Sequence, residues 1–273
     1  MRQPSGDPLP LEFAEAFEAA GDRLAPLCRR VIFFNRTGST NDVALALAAG
    51  RDAEGIVVIA DEQTAGRGRR GHRWHSPPGS GLYVSIVLRP SRDKADDARA
   101  TSLVTLAAGV SLAEAIEART ALRADIKWPN DLQVDRRKLC GILAESAAGD
   151  SGCVVLGYGV NVGARAWPPD ADYRATSIES ELGRPIDRAA LCAETIAAVA
   201  RRYTDLLNGR FDAILDAWRS RSPSSRQARV EWDTPAGRQS GVTDGIDDRG
   251  ALLVRVGDRV ERIVGGTLTW LER

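Results

Sequence analysis

The chain has 273 residues, 43% of them hydrophobic and 27% charged, the composition of an ordinary globular protein and not of a disordered or membrane one, with room for one large domain or a main domain with an appendage. Its 37 basic and 37 acidic residues cancel, so no global field draws it to nucleic acid or an anionic membrane, and anion recognition must be local. Cys28, Cys140, Cys153 and Cys192 form no C-x-x-C pair, and His72 and His75 are the only histidines, which sets aside disulfide frameworks, zinc ribbons and histidine-based triads.

Residues 1–30 read as an N-terminal segment. Met1 to Pro10 has no apolar stretch of the kind a secretory signal needs. Leu11 to Ala20 is helix-like and is followed by Gly21-Asp22 and Pro26, too little for a winged helix-turn-helix, so no DNA binding is expected. From Val31 strand-like and helix-like stretches alternate. Val31 to Phe34 reads as a strand, and Ser39 and Thr40 supply an N-cap for a helix ending at Gly50. Gly55 to Ala60 and Leu82 to Leu88 are β-branched and apolar, as central strands are, with a long Gly/Arg/Pro loop between them. Thr101 to Arg119 reads as an amphipathic helix. Strand-like pieces follow at Arg123 to Trp128, Lys138 to Ser146 and Cys153 to Val162, then helices at Asp187 to Leu207 and Phe211 to Ser220. The interleaving predicts an α/β or α+β domain on a mixed sheet over residues 31–222. Ser222-Pro223-Ser224-Ser225 has a linker's composition. Beyond it Gln227 to Trp232, Gln239 to Thr243, Ala251 to Val256 and Val260 to Val264 alternate between Gly and Asp turns, which predicts a small β-barrel or sandwich over 226–273. No apolar run approaches the ~20 residues of a spanning helix, so a cytoplasmic protein without a membrane partner is expected.

Four segments carry chemistry. Asp61 to Trp74 contains Gly66-Arg67-Gly68-Arg69-Arg70-Gly71: glycines allow close backbone approach, and the guanidinium groups fork onto phosphate oxygens. The spelling fits G-x-G-x-x-G, but a strand follows instead of the helix that a dinucleotide site requires. Lys127-Trp128-Pro129-Asn130-Asp131 is good turn chemistry at a strand end, and it sets Lys127 and Asp131 on one rim. Arg137-Lys138 opens the apolar run Leu139 to Leu143, and Gly157-Tyr158-Gly159 puts glycines in a strand, where they make room for a close neighbour. Lysine occurs only at Lys94, Lys127 and Lys138 in an arginine-rich chain, which hints at sites where a compact ammonium is wanted.

Taken in order, Gly38-Ser39-Thr40-Asn41, Gln63 through Trp74, Lys127-Trp128-Pro129-Asn130-Asp131-Leu132, Lys138-Leu139-Cys140-Gly141-Ile142-Leu143 and Gly157-Tyr158-Gly159-Val160-Asn161 resemble the biotin-protein ligase family. The resemblance implies an α+β fold: a catalytic domain with a mixed β-sheet, like class II aminoacyl-tRNA synthetases, and a small C-terminal SH3-like β-barrel. It implies that ATP with Mg2+ activates biotin as biotinyl-adenylate, and that biotin passes to a lysine of a biotin carboxyl carrier protein domain, such as that of acetyl-CoA carboxylase. The enzyme would be a monomer or homodimer. Cys140 stands where the family has alanine, and the length implies the monofunctional type without an N-terminal DNA-binding domain.

By the same resemblance the catalytic residues are Lys138, Asp131, Lys127, Arg67 and Arg69. Biotin would meet Ser39, Thr40, Asn41, Gln63, Arg67, Gly68, Arg69, Lys138, Gly141 and Gly157; the adenylate would meet Arg69, Trp74, Asn130 and Asn161; no resident metal is implied. Ser39 and Thr40 also read as helix caps, and Trp74 as a core tryptophan. The loop from Thr64 to Gly81 is expected to be mobile when empty and to close on the adenylate. Two alternatives stand: a lipoate-protein ligase or related acyl-adenylate transferase, and a non-enzymatic adenylate-sensing or RNA-binding module. The latter would call for aromatic platforms and a positive net charge.

Overall fold

A computed structural model of the chain describes residues 5–50, 52–90, 97–167, 175–235 and 237–271; Lys94 and the first four residues lie outside them. The elements in chain order are α1 (Leu11–Ala20), β1 (Arg30–Thr37), α2 (Thr40–Ala48), β2 (Ile56–Gln63), β3 (Gly81–Leu88), α3 (Asp97–Thr120), β4 (Asp125–Lys127), β5 (Asp131–Val134), β6 (Arg137–Ala147) and β7 (Asp150–Asn161). Then come α4 (Ile178–Leu182), α5 (Arg188–Leu207), α6 (Phe211–Ser220) and the strands β8 (Arg226–Thr234), β9 (Gly237–Ile246), β10 (Leu252–Val256), β11 (Arg259–Ile263) and β12 (Leu268–Trp270).

The first seven strands form one mixed sheet in the order β1-β2-β3-β7-β6-β5-β4, with β1 and β2 parallel and the other neighbours antiparallel. Strand residues of alternating parity face opposite sides, and the sheet has a core on each. On one side α2 packs against β2, β3 and β7, with Val58, Val87 and Val155 beneath it. On the other, α3 and α5 pack on each other and against the sheet, with α1 and α6 at the flanks. Asp187 caps α5 by accepting a hydrogen bond from Ala190 N at 2.8 Å, as a helix start at that residue requires.

Helix α3 departs from the amphipathic expectation. Leu103, Val104, Val110, Leu112 and Ile116 are all buried, on several faces of the helix at once, because it is enclosed by the sheet, α5 and α6. Its span Ala98–Thr120 is long and apolar enough to cross a membrane by length and composition, contrary to the expectation that no run approaches that length, yet 72% of the window is buried inside the protein. It is a core helix.

The remaining strands form a five-stranded antiparallel sheet in the order β11-β10-β9-β8-β12. Residues 222–225, expected as a linker, are a folded turn. Ser222 and Ser225 are buried, Ser225 Oγ donates to Ser222 O at 2.6 Å, and Ile126 N of β4 donates to Arg221 O at 2.7 Å. Trp128 Nε1 donates to Gly250 O at 3.0 Å, and Trp128, Val230, Leu252 and Val254 join the same apolar cluster as α3 and α5. The second sheet is therefore fixed against the β4–β5 edge of the first.

Candidate active site

On the face of the sheet away from α3, a cavity of about 740 Å³ opens between α2, the loop joining β2 to β3, strands β4 to β7 and the second sheet. Its floor is β6 and β7, where Gly141 pairs with Gly159 and Leu143 with Gly157. A Cβ on Gly159 would lie 2.3 Å from Trp74 Nε1, and one on Gly157 only 1.9 Å from Asn41 Oδ1. The glycines thus admit an indole and a carboxamide of the protein itself onto the strands. Trp74 packs directly on the floor, also against Gly141.

Polar groups behind the floor bond one another, and of these Thr40, Asn41, Ser76 and Ser85 are buried. Ser85 Oγ lies 2.5 Å from Asn41 Oδ1 and 2.8 Å from Thr40 Oγ1. Gln63 Oε1 accepts from Thr40 N at 2.8 Å, and Gln63 Nε2 donates to Ser76 Oγ at 2.9 Å. Ser39 holds the N-cap position of α2, but its side chain makes no capping hydrogen bond; the carboxamide of Gln63 meets the helix end instead.

The wall is cationic. The glycine loop is closed by Gly68 N to His72 O at 2.7 Å and Trp74 N to Gly66 O at 2.9 Å. Gly66 is required there, since a Cβ would sit 2.4 Å from Trp74 O. Arg67 Nη2 lies between Glu145 Oε2 at 2.7 Å and Asp42 Oδ1 at 2.8 Å. Arg69 Nη1 donates to Asn130 Oδ1 at 3.2 Å, and burial, with the neighbouring charge of Arg70, lowers its pKa against a smaller pull from Asp131. Lys138 Nζ is 2.8 Å from Asp131 Oδ1, an ion pair without hydrogen-bond alignment, and 5.4 Å from the centre of the Trp74 ring. Lys127 Nζ stands 5.8 Å from the Trp270 ring centre. Burial lowers the Lys127 pKa; Asp131 opposes that and Lys138 adds to it.

Of the residues expected at the site, Ser39, Thr40, Asn41, Gln63, Arg67, Gly68, Arg69 and Trp74 line this cavity, as do Lys127, Asn130, Asp131, Lys138, Gly141 and Gly157. Asn161 does not. It is buried at the end of β7, where its Nδ2 donates to Thr176 O at 3.0 Å and Lys138 O at 3.4 Å, so it braces the backbone that carries Lys138. Arg67, expected with Arg69 among the catalytic and biotin-binding residues, is engaged by two carboxylates. No local pattern in the sequence marks those partners, or marks Arg136, Thr267, Trp270 and Leu271 as residues that line the cavity.

Among the described lining residues five arginines and two lysines face one carboxylate, Asp131. Such a cavity, with an apolar and hydrogen-bonding floor, is built to hold a small ligand of high negative charge. Residues 33–161 match the model of the biotin/lipoate A/B protein ligase family. The chain is 36% identical over 230 residues to a biotin--[acetyl-CoA-carboxylase] ligase of Paracoccus denitrificans, covering 81% of this chain and 92% of that protein. It is 34% identical over 242 residues to the bifunctional ligase/repressor BirA of Bacillus subtilis, covering 86% and 72%. The structure of biotin protein ligase from Aquifex aeolicus in complex with biotin and ATP superposes with a TM-score of 0.75 at 25% identity, covering 90% of this chain and 100% of that one. The chain belongs to the biotin/lipoate A/B protein ligase family.

Proposed function

We infer that the protein is an ATP-dependent biotin–protein ligase, which forms biotinyl-adenylate and transfers biotin to a lysine of a carrier domain such as that of acetyl-CoA carboxylase. The observation that carries this reading is the charge of the cavity: against one lining carboxylate stand seven lining cations, of which, among the described residues, only Arg67 is held by carboxylates outside the lining, beside a floor closed by Asn41 and Trp74. In the first step a biotin carboxylate oxygen bonds the α-phosphorus of ATP while the bond to pyrophosphate breaks. Both reactants are anionic, so cations that meet them and the charge of the transition state lower the barrier. We assign Lys138 and Arg69 to that task, with Lys127 alongside. Asn130 orients Arg69, and Asp131 orients Lys138. In the second step the carrier amine attacks the acyl carbon and AMP leaves; we assign Asp131, the one carboxylate among the described lining residues, to take the amine's proton.

Thr40, Asn41 and Gln63 supply hydrogen bonds for the polar end of biotin, and Trp74 covers its chain. Mg2+ would enter on the phosphates of ATP and partly neutralise them; Asp131 suits the single carboxylate through which such an ion is held. The loop from Thr64 to Gly81 keeps water from the mixed anhydride. We read residues 31–222 as a catalytic domain of the class II aminoacyl-tRNA synthetase type, and 226–273 as an SH3-like barrel that supplies Thr267 and Trp270 to the rim.

The test is to incubate the protein with ATP, Mg2+ and a carrier domain, offering biotin or lipoate separately, and to weigh the carrier by mass spectrometry. One added biotinyl group is expected, with the lipoate sample unchanged. A lipoyl adduct alone, or no adduct with either acid, overturns the reading.

A further inference from the structure

Arg67 and Arg69 are alike in the sequence, each preceded by glycine, yet their surroundings differ in kind. Arg67 Nη2 is held by Glu145 at 2.7 Å and by Asp42 at 2.8 Å, and neither carboxylate lines the cavity. Among the described residues Arg69 has no carboxylate at ion-pair distance; it meets the neutral amide oxygen of Asn130. The oxygen of Glu145 that takes Arg67 also accepts from Asn41 Nδ2 at 2.8 Å. Asn41 is the side chain that Gly157 admits to the floor and that Ser85 holds from behind. Glu145 reaches this point because residues 141, 143 and 145 of β6 share one face of the sheet. One carboxylate oxygen thus ties the glycine loop to the floor of the pocket.

We propose that Glu145 is a positioning residue that withdraws Arg67 from anion binding and uses it to seat the glycine loop against Asn41. Arg69 and Lys138 are then left as the cations that meet the ligand. The kinetic part of this proposal rests on the ligase reading; the seating of the loop does not. Its size follows from exposure. The Arg67, Glu145 and Asp42 side chains are 37%, 26% and 58% exposed, so solvent screens the pair. Asn41 is only 4% exposed, and losing its charged acceptor weakens the one link that reaches into the protein.

Two measurements on the full chain test it, both with Glu145→Gln, which keeps the shape and removes the charge. In the ligand-free protein, trypsin cleavage after Arg67, Arg69, Arg70 and Arg73 should be about threefold to fivefold faster in the variant, the effect of losing a partly screened ion pair. In biotin-dependent ATP–pyrophosphate exchange, Glu145→Gln and Arg67→Ala should each raise the biotin KM about threefold to fivefold with kcat nearly unchanged, and the double variant should be no worse than the poorer single one. Equal cleavage rates overturn the proposal, as does a double variant in which the two KM effects multiply. A parent protein with no exchange activity would count against the ligase reading instead, and the trypsin comparison would still decide the role of Glu145.

Discussion

On the floor of the cavity, Asn41 and Trp74 occupy the space that a Cβ on Gly157 or Gly159 would need, at 1.9 and 2.3 Å. On the wall, Arg67, Arg70 and Lys127 reach their partners through an ion pair, a hydrogen bond and a ring contact at the protein's rim. The floor is fixed by repulsion at short range and by buried hydrogen bonds, which salt barely touches; the wall is set by charges that solvent screens. The floor is therefore shaped before any ligand arrives and can select by fit. On the ligase reading the wall supplies the electrostatics of the reaction, and its arrangement answers to ionic strength.

The sharpest separation of the two is Lys138→Ala. Lys138 belongs to the wall and is 35% exposed in its pair with Asp131, so its removal costs the fold little. In the transition state, however, its ammonium would face charge that water cannot replace. Exchange of pyrophosphate into ATP should fall about 100-fold to 1,000-fold, the range seen on removing one preorganised charge-stabilising donor, with thermal unfolding close to the parent's. Activity within tenfold of the parent would mean that the wall does not do the chemistry.

Next in size is Gly157→Ala, which strikes the floor. The colliding atom is the end of a side chain, but Asn41 is tied by Ser85 and Glu145 and has little freedom to turn away. The added methyl should cost about 1–3 kcal/mol of stability, as overpacking does, and displace Asn41, raising the biotin KM about tenfold or more. Urea unfolding and a biotin titration check the two effects. A variant as stable as the parent with an unchanged KM would show that the floor yields.

The sequence exposed the floor and the cations of the wall because each is written in a short local pattern: glycines within strands, Gly-Arg repeats, and Lys127 and Lys138, two of only three lysines in an arginine-rich chain. The strands of the large sheet were legible for a similar reason, since β-branched apolar runs such as those in β2 and β3 have no other stable home. Helix α3 was misread because an amphipathic pattern presumes water on one face, while this helix has protein on nearly all sides. Strands β5 and β12, of four and three residues, are too short to show a period. The Ser/Pro stretch at 222–225 looked like a linker because its hydroxyls are polar; in the fold Ser225 satisfies its own in a local turn. Glu145 was invisible because its partner Arg67 lies 78 residues away, and nothing near either one marks the pair. Asn161 was placed in the cavity from its neighbours in the motif, but its amide is spent on the backbone of Lys138 and Thr176.

The smallest effect is expected where the glycine loop touches the second sheet. Arg70 has left-handed backbone, φ 56°, which a non-glycine residue adopts only when neighbours support it. Its Nη1 donates to Thr267 Oγ1 at 2.5 Å in an exposed contact. Thr267→Val keeps the shape and removes the acceptor. Water can replace the lost oxygen, so stability should stay within about 0.5 kcal/mol of the parent. The exchange rate should fall by less than about threefold, and the ATP KM should shift more than the biotin KM because the contact belongs to the wall. A loss above tenfold, or a change confined to the biotin KM, would mean that this rim is built as tightly as the floor and that charge alone does not set the wall.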